Sequence, residues 1–121
     1  MNNEELAIID LGATIQTLET KEDALACLGS FFNEIDGYKS ALVSAHAASD
    51  TEKLRSVAHK LKGILGYCSL PAMWSVYEHY HKLLRDEKSR DDERGPAYGA
   101  LIIEIDRFIE YFPKFKAENE D

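Results

Sequence analysis

A histidine, a lysine and two glycines recur at helical spacing in the middle of this chain. They are His59, Lys62, Gly63 and Gly66, at offsets of zero, three, four and seven, which is the spacing of neighbours on one face of a helix. A neutral imidazole is a nucleophile that can carry a phosphoryl group, with one ring nitrogen attacking while the other keeps its proton. Lys62 would offset the charge of that group. The pattern therefore predicts a phosphoacceptor site.

The two glycines favour this interpretation. Glycine inside a helix costs up to about 1 kcal/mol relative to alanine, and close docking of another protein would explain why both stand beside His59. The alternative is an ordinary surface histidine, which is the more frequent situation for a histidine alone on a polar helix face. The lysine and glycines on the same face argue against it.

The elements that must position these residues are helices, because apolar residues repeat at threes and fours along most of the chain and alternating β-branched segments are missing. We predict an all-α fold. The predicted helices are a short one over about 4–18, a long one over 22–48, a third that starts within 49–52 and reaches Cys68, a fourth over 70–86 and a fifth over 97–112.

Charged runs and prolines in the sequence predict where the helices end and which segments connect them. The charge-dense run 85–94 predicts a solvated turn or a frayed helix end. Pro113 is expected to bend or end the fifth helix, and the acidic tail 118–121 to fray. The long amphipathic helices bury their apolar faces most simply in an antiparallel four-helix bundle, with the short N-terminal helix as a cap. All 121 residues are expected to form one domain.

Composition excludes several classes of function. With 22 acidic and 14 basic residues the net charge is −8, which argues against binding nucleic acid or anionic membranes. No run approaches the roughly 20 apolar residues of a membrane span, and no secretory leader is recognisable. We expect a soluble, cytoplasmic monomer. Cys27 and Cys68 have no metal-binding spacing and are expected to be buried thiols without a redox or metal role.

The residues around His59 resemble the signature of the histidine-containing phosphotransfer (HPt) domain family. That signature is a histidine followed by an apolar residue at +2, lysine at +3, glycine at +4 and commonly glycine at +7. In this chain it reads His59, Leu61, Lys62, Gly63 and Gly66. The resemblance covers most of the chain, from about 9 to 112, although only the motif is specific.

The resemblance implies a role in a two-component phosphorelay. His59 would accept a phosphoryl group from an aspartyl phosphate on a response-regulator receiver domain and pass it to an aspartate of another receiver. The chain would bind no metal or cofactor, because the Mg²⁺ belongs to the receiver. It would be a transfer intermediate without a kinase ATP site, free-standing or part of a hybrid sensor kinase.

The resemblance also implies a polar side chain on the following helix that orients the histidine ring. The family's usual position is near +22, which here is His81 in place of the more common glutamine or glutamate. Glu78 at +19 could orient the ring instead, and Arg85 at +26 could contact the phosphoryl group. The alternative is that these residues lie on a solvated helix face.

Docking of a receiver is expected to use apolar side chains near the histidine, namely Ile64 and Tyr67, with Tyr38 and Leu42 of the second helix. Ile64 is bulkier than the small residue that the family prefers at +5, and Ser69 stands where a further glycine is common. These departures leave the identity of the partner open.

Two other functions remain open. One is an interaction module of the same fold that binds a regulator without being phosphorylated. The other is a metal-binding four-helix enzyme, which needs Glu-x-x-His pairs facing the bundle interior. Glu78 and His81 form one such pair, but the sequence offers no second pair to complete a site.

Overall fold

The computed structural model describes residues 5–120, and within that range the chain forms five helices and no strand. The helices are α1 (Leu11–Leu18), α2 (Lys21–Ala47), α3 (Thr51–Leu65), α4 (Pro71–Arg85) and α5 (Asp91–Asn119). The predicted all-α class is confirmed. None of these helices is both long enough and apolar enough to cross a bilayer.

Side-chain caps set where three of the helices begin. Asp10, Thr20 and Asp50 each precede a helix and accept a hydrogen bond from the backbone N–H three residues on, at 3.0, 3.0 and 3.1 Å. Each bond satisfies a donor that the first helical turn leaves free. α4 begins instead with Pro71, whose missing N–H is no loss at the first position of a helix.

The four longer helices close into a bundle. α2 and α4 each pack against both α3 and α5, and α1 packs on α2. Short connections join the consecutive helices, so that neighbours run antiparallel. The predicted bundle with an N-terminal cap is therefore confirmed. Its fully buried apolar side chains include Leu28, Phe31, Ile35, Leu42, Leu61, Leu84, Leu101 and Phe108.

The predicted start of α1 is wrong. The helix begins at Leu11 rather than near residue 4, which itself lies outside the described residues. The segment before it pairs with the α3–α4 connection instead: the Asp10 N–H donates to the Ser69 carbonyl at 2.9 Å, and the Ala72 N–H donates to the Ala7 carbonyl at 3.0 Å. A backbone held in these contacts cannot also form a helical turn.

The predicted bounds of α5 are also wrong. The helix begins at Asp91, six residues before the predicted start, so only 86–90 form the connection. Three acidic residues in the first turn complement the positive end of the helix dipole. Pro113 does not end the helix, because burial of Phe112 and Phe115 compensates for the single hydrogen bond that proline removes. The tail was expected to fray from residue 118 onward, but residues 118 and 119 are helical.

Two hydrogen bonds set the register between α3 and α4. The Tyr77 hydroxyl donates to the Ala58 carbonyl at 2.9 Å, and Arg55 Nε donates to the Leu84 carbonyl at 2.6 Å. Burial raises the pKa of Tyr77 to about 12, so the hydroxyl stays protonated and able to donate. Since Ala58 directly precedes His59, the Tyr77 bond fixes which residues of α4 lie beside the histidine.

Replacing Tyr77 with phenylalanine tests this contact. Tyr77→Phe should lower the free energy of unfolding by about 1 kcal/mol, because it removes one buried hydrogen bond without leaving a cavity. Urea denaturation measures the change. Tyr67→Phe is the matched control, since Tyr67 is 58% exposed and should unfold as the wild type does. Equal stability of the two variants would contradict the proposed role of the hydroxyl.

Candidate functional site

His59 lies on the exposed face of α3, while the same turn of the helix packs into the core. Val57, Ala58 and Leu61 are at most 3% exposed, and His59 and Lys62 face solvent. This division follows from the 3.6-residue repeat of the helix. The imidazole is therefore open to attack a group carried by another molecule, with the Lys62 ammonium one turn away on the same side.

The two glycines beside His59 have different physical explanations. A Cβ atom at Gly63 would meet nothing within 4 Å, so no contact within the described residues requires glycine there. A Cβ atom at Gly66 would lie 3.3 Å from the Gly63 carbonyl oxygen, in the turn that ends α3. Packing of that turn accounts for Gly66, whereas no neighbour among the described residues requires glycine at Gly63, as is also true of Gly37 and Gly99.

α4 brings His81 to the same side of the bundle as His59. The His81 ring is half-buried and stacks on Tyr77, with centroids 5.4 Å apart and planes 14° from parallel. Burial lowers the pKa of His81, and the nearby positive charges of Arg85 and Lys62 lower it further. The ring is therefore neutral at pH 7, so it can accept a hydrogen bond while adding no positive charge to the site.

The other two polar candidates of α4, Glu78 and Arg85, are both exposed but differ in their contacts. Glu78 is exposed, and among the described residues no hydrogen bond or ion pair holds it against His59. Arg85 is exposed one turn beyond His81, close enough for its charge to act on that ring. Neither Glu78 nor His81 makes a hydrogen bond to His59 among the described residues, and His81 is the candidate whose ring is packed in place, by its stacking on Tyr77.

The four expected docking residues lie in four different environments. Tyr67 is 58% exposed, and Ile64 is half-buried against the core. Tyr38 lines a groove of about 450 Å³ between α2 and α3. The prediction for Leu42 is wrong, because this side chain is 0% exposed and faces the bundle interior.

Trp74 is a surface residue near the site that the motif and its spacing did not indicate. It is 39% exposed and packs against Tyr77, with ring centroids 5.5 Å apart. Trp74, Tyr77 and His81 thus form an aromatic row along α4. Because α3 and α4 are antiparallel and Tyr77 bonds to Ala58, Trp74 lies level with the Gly63 end of α3. The sequence does contain a signal for this surface residue, because Trp74 is the single tryptophan of the chain and lies in the first turn of α4.

Within residues 5–120, no group of three or more histidine, cysteine, aspartate or glutamate side chains is arranged to hold a metal ion. Glu78 and His81 therefore meet no second pair of the kind that a di-metal bundle site uses. The chemistry that this surface supports is carried by the His59 imidazole and its neighbours.

A family model described as the Hpt domain matches residues 26–111 of the 121-residue chain. The chain belongs to the Hpt domain family. The match includes His59 and all of α3 and α4, so it spans the site described above. Hpt domains act in histidine phosphotransfer and interact with the receiver domains of phosphorelays. Neither a curated protein nor a solved structure matches this Hpt domain.

Replacing Gly63 with alanine separates folding from docking. Gly63→Ala should raise the free energy of unfolding by up to about 1 kcal/mol, because alanine favours the helix and its Cβ meets no neighbour. The same methyl group should slow phosphotransfer from a phosphorylated receiver by about 10-fold, because it stands on the face where the partner must approach. Urea denaturation and a time course of transfer measure the two effects.

The matched control is Gly99→Ala in α5, where a Cβ atom also meets nothing within 4 Å. It should give a similar gain in stability and leave the transfer rate unchanged. Transfer by Gly63→Ala at the wild-type rate would show that Gly63 does not face the docked partner.

Proposed function

We propose that this Hpt domain relays a phosphoryl group between the aspartates of receiver domains, with His59 as the phosphoacceptor. The observation that carries the proposal is the exposed His59 imidazole on α3, with open space at Gly63 on one side and the neutral His81 ring on the other. The interaction-module alternative shares the fold but has no use for an exposed nucleophile beside a counter-charge.

The transfer step follows from the chemistry of the imidazole. A lone pair on one ring nitrogen of His59 attacks the phosphorus of the receiver's aspartyl phosphate, so that a P–N bond forms as the P–O bond breaks. The electron pair of the broken bond stays on the aspartate, which leaves as a carboxylate. The reverse sequence delivers the group to a second receiver. Such transfer depends on positioning and charge neutralisation, and the receiver holds the Mg²⁺.

The neighbouring side chains support this step from both helices. The ammonium of Lys62 offsets the negative charge that arrives with the phosphoryl group. In the proposed step, an unprotonated nitrogen of His81 comes to accept a hydrogen bond from the N–H of the non-attacking nitrogen of His59, which would orient the ring and increase the electron density on the attacking nitrogen. Arg85 adds positive charge at the edge of the site.

Docking of the receiver places its aspartyl phosphate over Gly63. Tyr67 and Trp74 supply exposed aromatic surface at this end of the site, and Ile64 fills the space between them and the core. Aromatic side chains of this kind contribute strongly to protein interfaces. The protein then acts as a monomeric cytoplasmic intermediate that turns over no substrate of its own, with a hybrid sensor kinase as one source of the donor receiver.

Transfer of labelled phosphate from a phosphorylated receiver tests the proposal. The wild type should acquire a label that is acid-labile and base-stable, as expected for a P–N bond, and His59→Gln should acquire none. His79→Gln is the matched control, because His79 is exposed on α4 but has no place in the proposed step, and it should be labelled like the wild type.

Two outcomes would overturn the proposal. Label on His59→Gln would mean that another residue accepts the phosphoryl group. Absence of label on the wild type, with a stable complex between the Hpt domain and the receiver, would favour the interaction module.

A further inference from the structure

Two cysteine side chains from distant parts of the chain meet inside the bundle. Cys27 lies on α2 and Cys68 lies in the connection between α3 and α4, 41 residues further along. Their Sγ atoms are 3.3 Å apart. Since bonded sulfur atoms are about 2.05 Å apart, the two need to approach by little more than about 1 Å to form a disulfide.

We infer that Cys27 and Cys68 form an oxidisable pair, which a hydroperoxide converts to an intramolecular disulfide between α2 and the α3–α4 connection. Their separation along the chain predicts no such contact. The expectation that both thiols are buried is correct for Cys68 and wrong for Cys27, and the inference departs from the expectation that neither has a redox role. The inference does not depend on phosphotransfer by His59.

The burial of the two thiols sets the order of the reaction. Cys27 is half-buried and Cys68 is fully buried, so an oxidant in solution reaches Cys27 first. Burial and the adjacent Cys27 thiol raise the pKa of Cys68 above its usual range, so little of its thiolate is present and its attack on an oxidant from solution is slow. Cys68 resolves the Cys27 sulfenic acid because its sulfur is already held 3.3 Å from the Cys27 sulfur, which makes the second step intramolecular.

The two steps balance with hydrogen peroxide as the oxidant. Cys27 attacks one peroxide oxygen and becomes a sulfenic acid, and one molecule of water is released. The Cys68 sulfur then attacks the Cys27 sulfur, an S–S bond forms as the S–O bond breaks, and the departing hydroxide takes the Cys68 proton to give a second water. Two thiols are oxidised by two electrons, and one peroxide is reduced.

The backbone at Cys68 is held at the end of α3. Cys68 lies outside the helices, in the bend that follows Gly66, and its N–H donates to the Ile64 carbonyl at 3.1 Å. We therefore expect the two sulfur atoms to approach mainly by rotation of the two side chains. The connection is already tied to α1, because the Ser69 N–H donates to Thr14 Oγ1 at 3.0 Å. A disulfide would add a covalent link from the same connection to α2.

Treatment of the reduced wild-type protein with hydrogen peroxide tests the inference. Mass spectrometry should show a monomer lighter by two hydrogen atoms, and both free thiols should be lost together. The melting temperature should rise by about 10 °C, because the link closes a long loop in the unfolded chain, and dithiothreitol should reverse the change. The Cys68→Ala variant should retain a Cys27 sulfenic acid that dimedone traps, whereas Cys27→Ala should give no adduct.

Three outcomes would overturn the inference. They are persistence of both thiols in the wild type, disulfide-linked dimers in place of the monomeric product, and a dimedone adduct on Cys68 in the Cys27→Ala variant. The mass and thiol measurements on the wild type need no substitution, so they remain decisive if either variant folds poorly.

Discussion

The hydrogen bond from the Tyr77 hydroxyl to the Ala58 carbonyl is the contact on which the site depends. Helix packing by apolar side chains tolerates sliding of one helix along another, whereas a directed bond of 2.9 Å between α4 and α3 selects one register. In that register His81 stands beside His59 and Trp74 stands level with Gly63. The same buried aromatic ring carries the stacked His81 on its face, so one residue both aligns the helices and supports the His81 side chain.

The site is an open surface, as the proposed transfer requires. In that proposal the receiver supplies the rest of the chemistry, so a nucleophile in contact with solvent and space that the receiver can fill both favour the step. The helix would be more stable with alanine at Gly63, and nothing among the described residues excludes it. The same holds for Gly99, so it is the position of Gly63 one turn from His59 that links it to docking.

Features that depend on local periodicity could be predicted from the sequence, whereas features that distant elements decide could not. The exposed face of α3 follows from the spacing of its apolar residues, so this spacing alone places His59 on the solvent side of the helix. Leu42 was misplaced because one helix face does not reveal which neighbour covers it. The choice between Glu78 and His81, and the contact of Cys27 with Cys68, depend on the register of separate elements, about which spacing within one helix says nothing.

Direct localisation of the phosphoryl group tests the central claim most sharply. The wild-type Hpt domain would be phosphorylated by a receiver, digested under alkaline conditions that preserve phosphohistidine, and sequenced by mass spectrometry. We expect a phosphoryl group on His59 and none on His46, His79 or His81. A phosphoryl group on any of those three histidines, with His59 unmodified, would contradict the role proposed for His59.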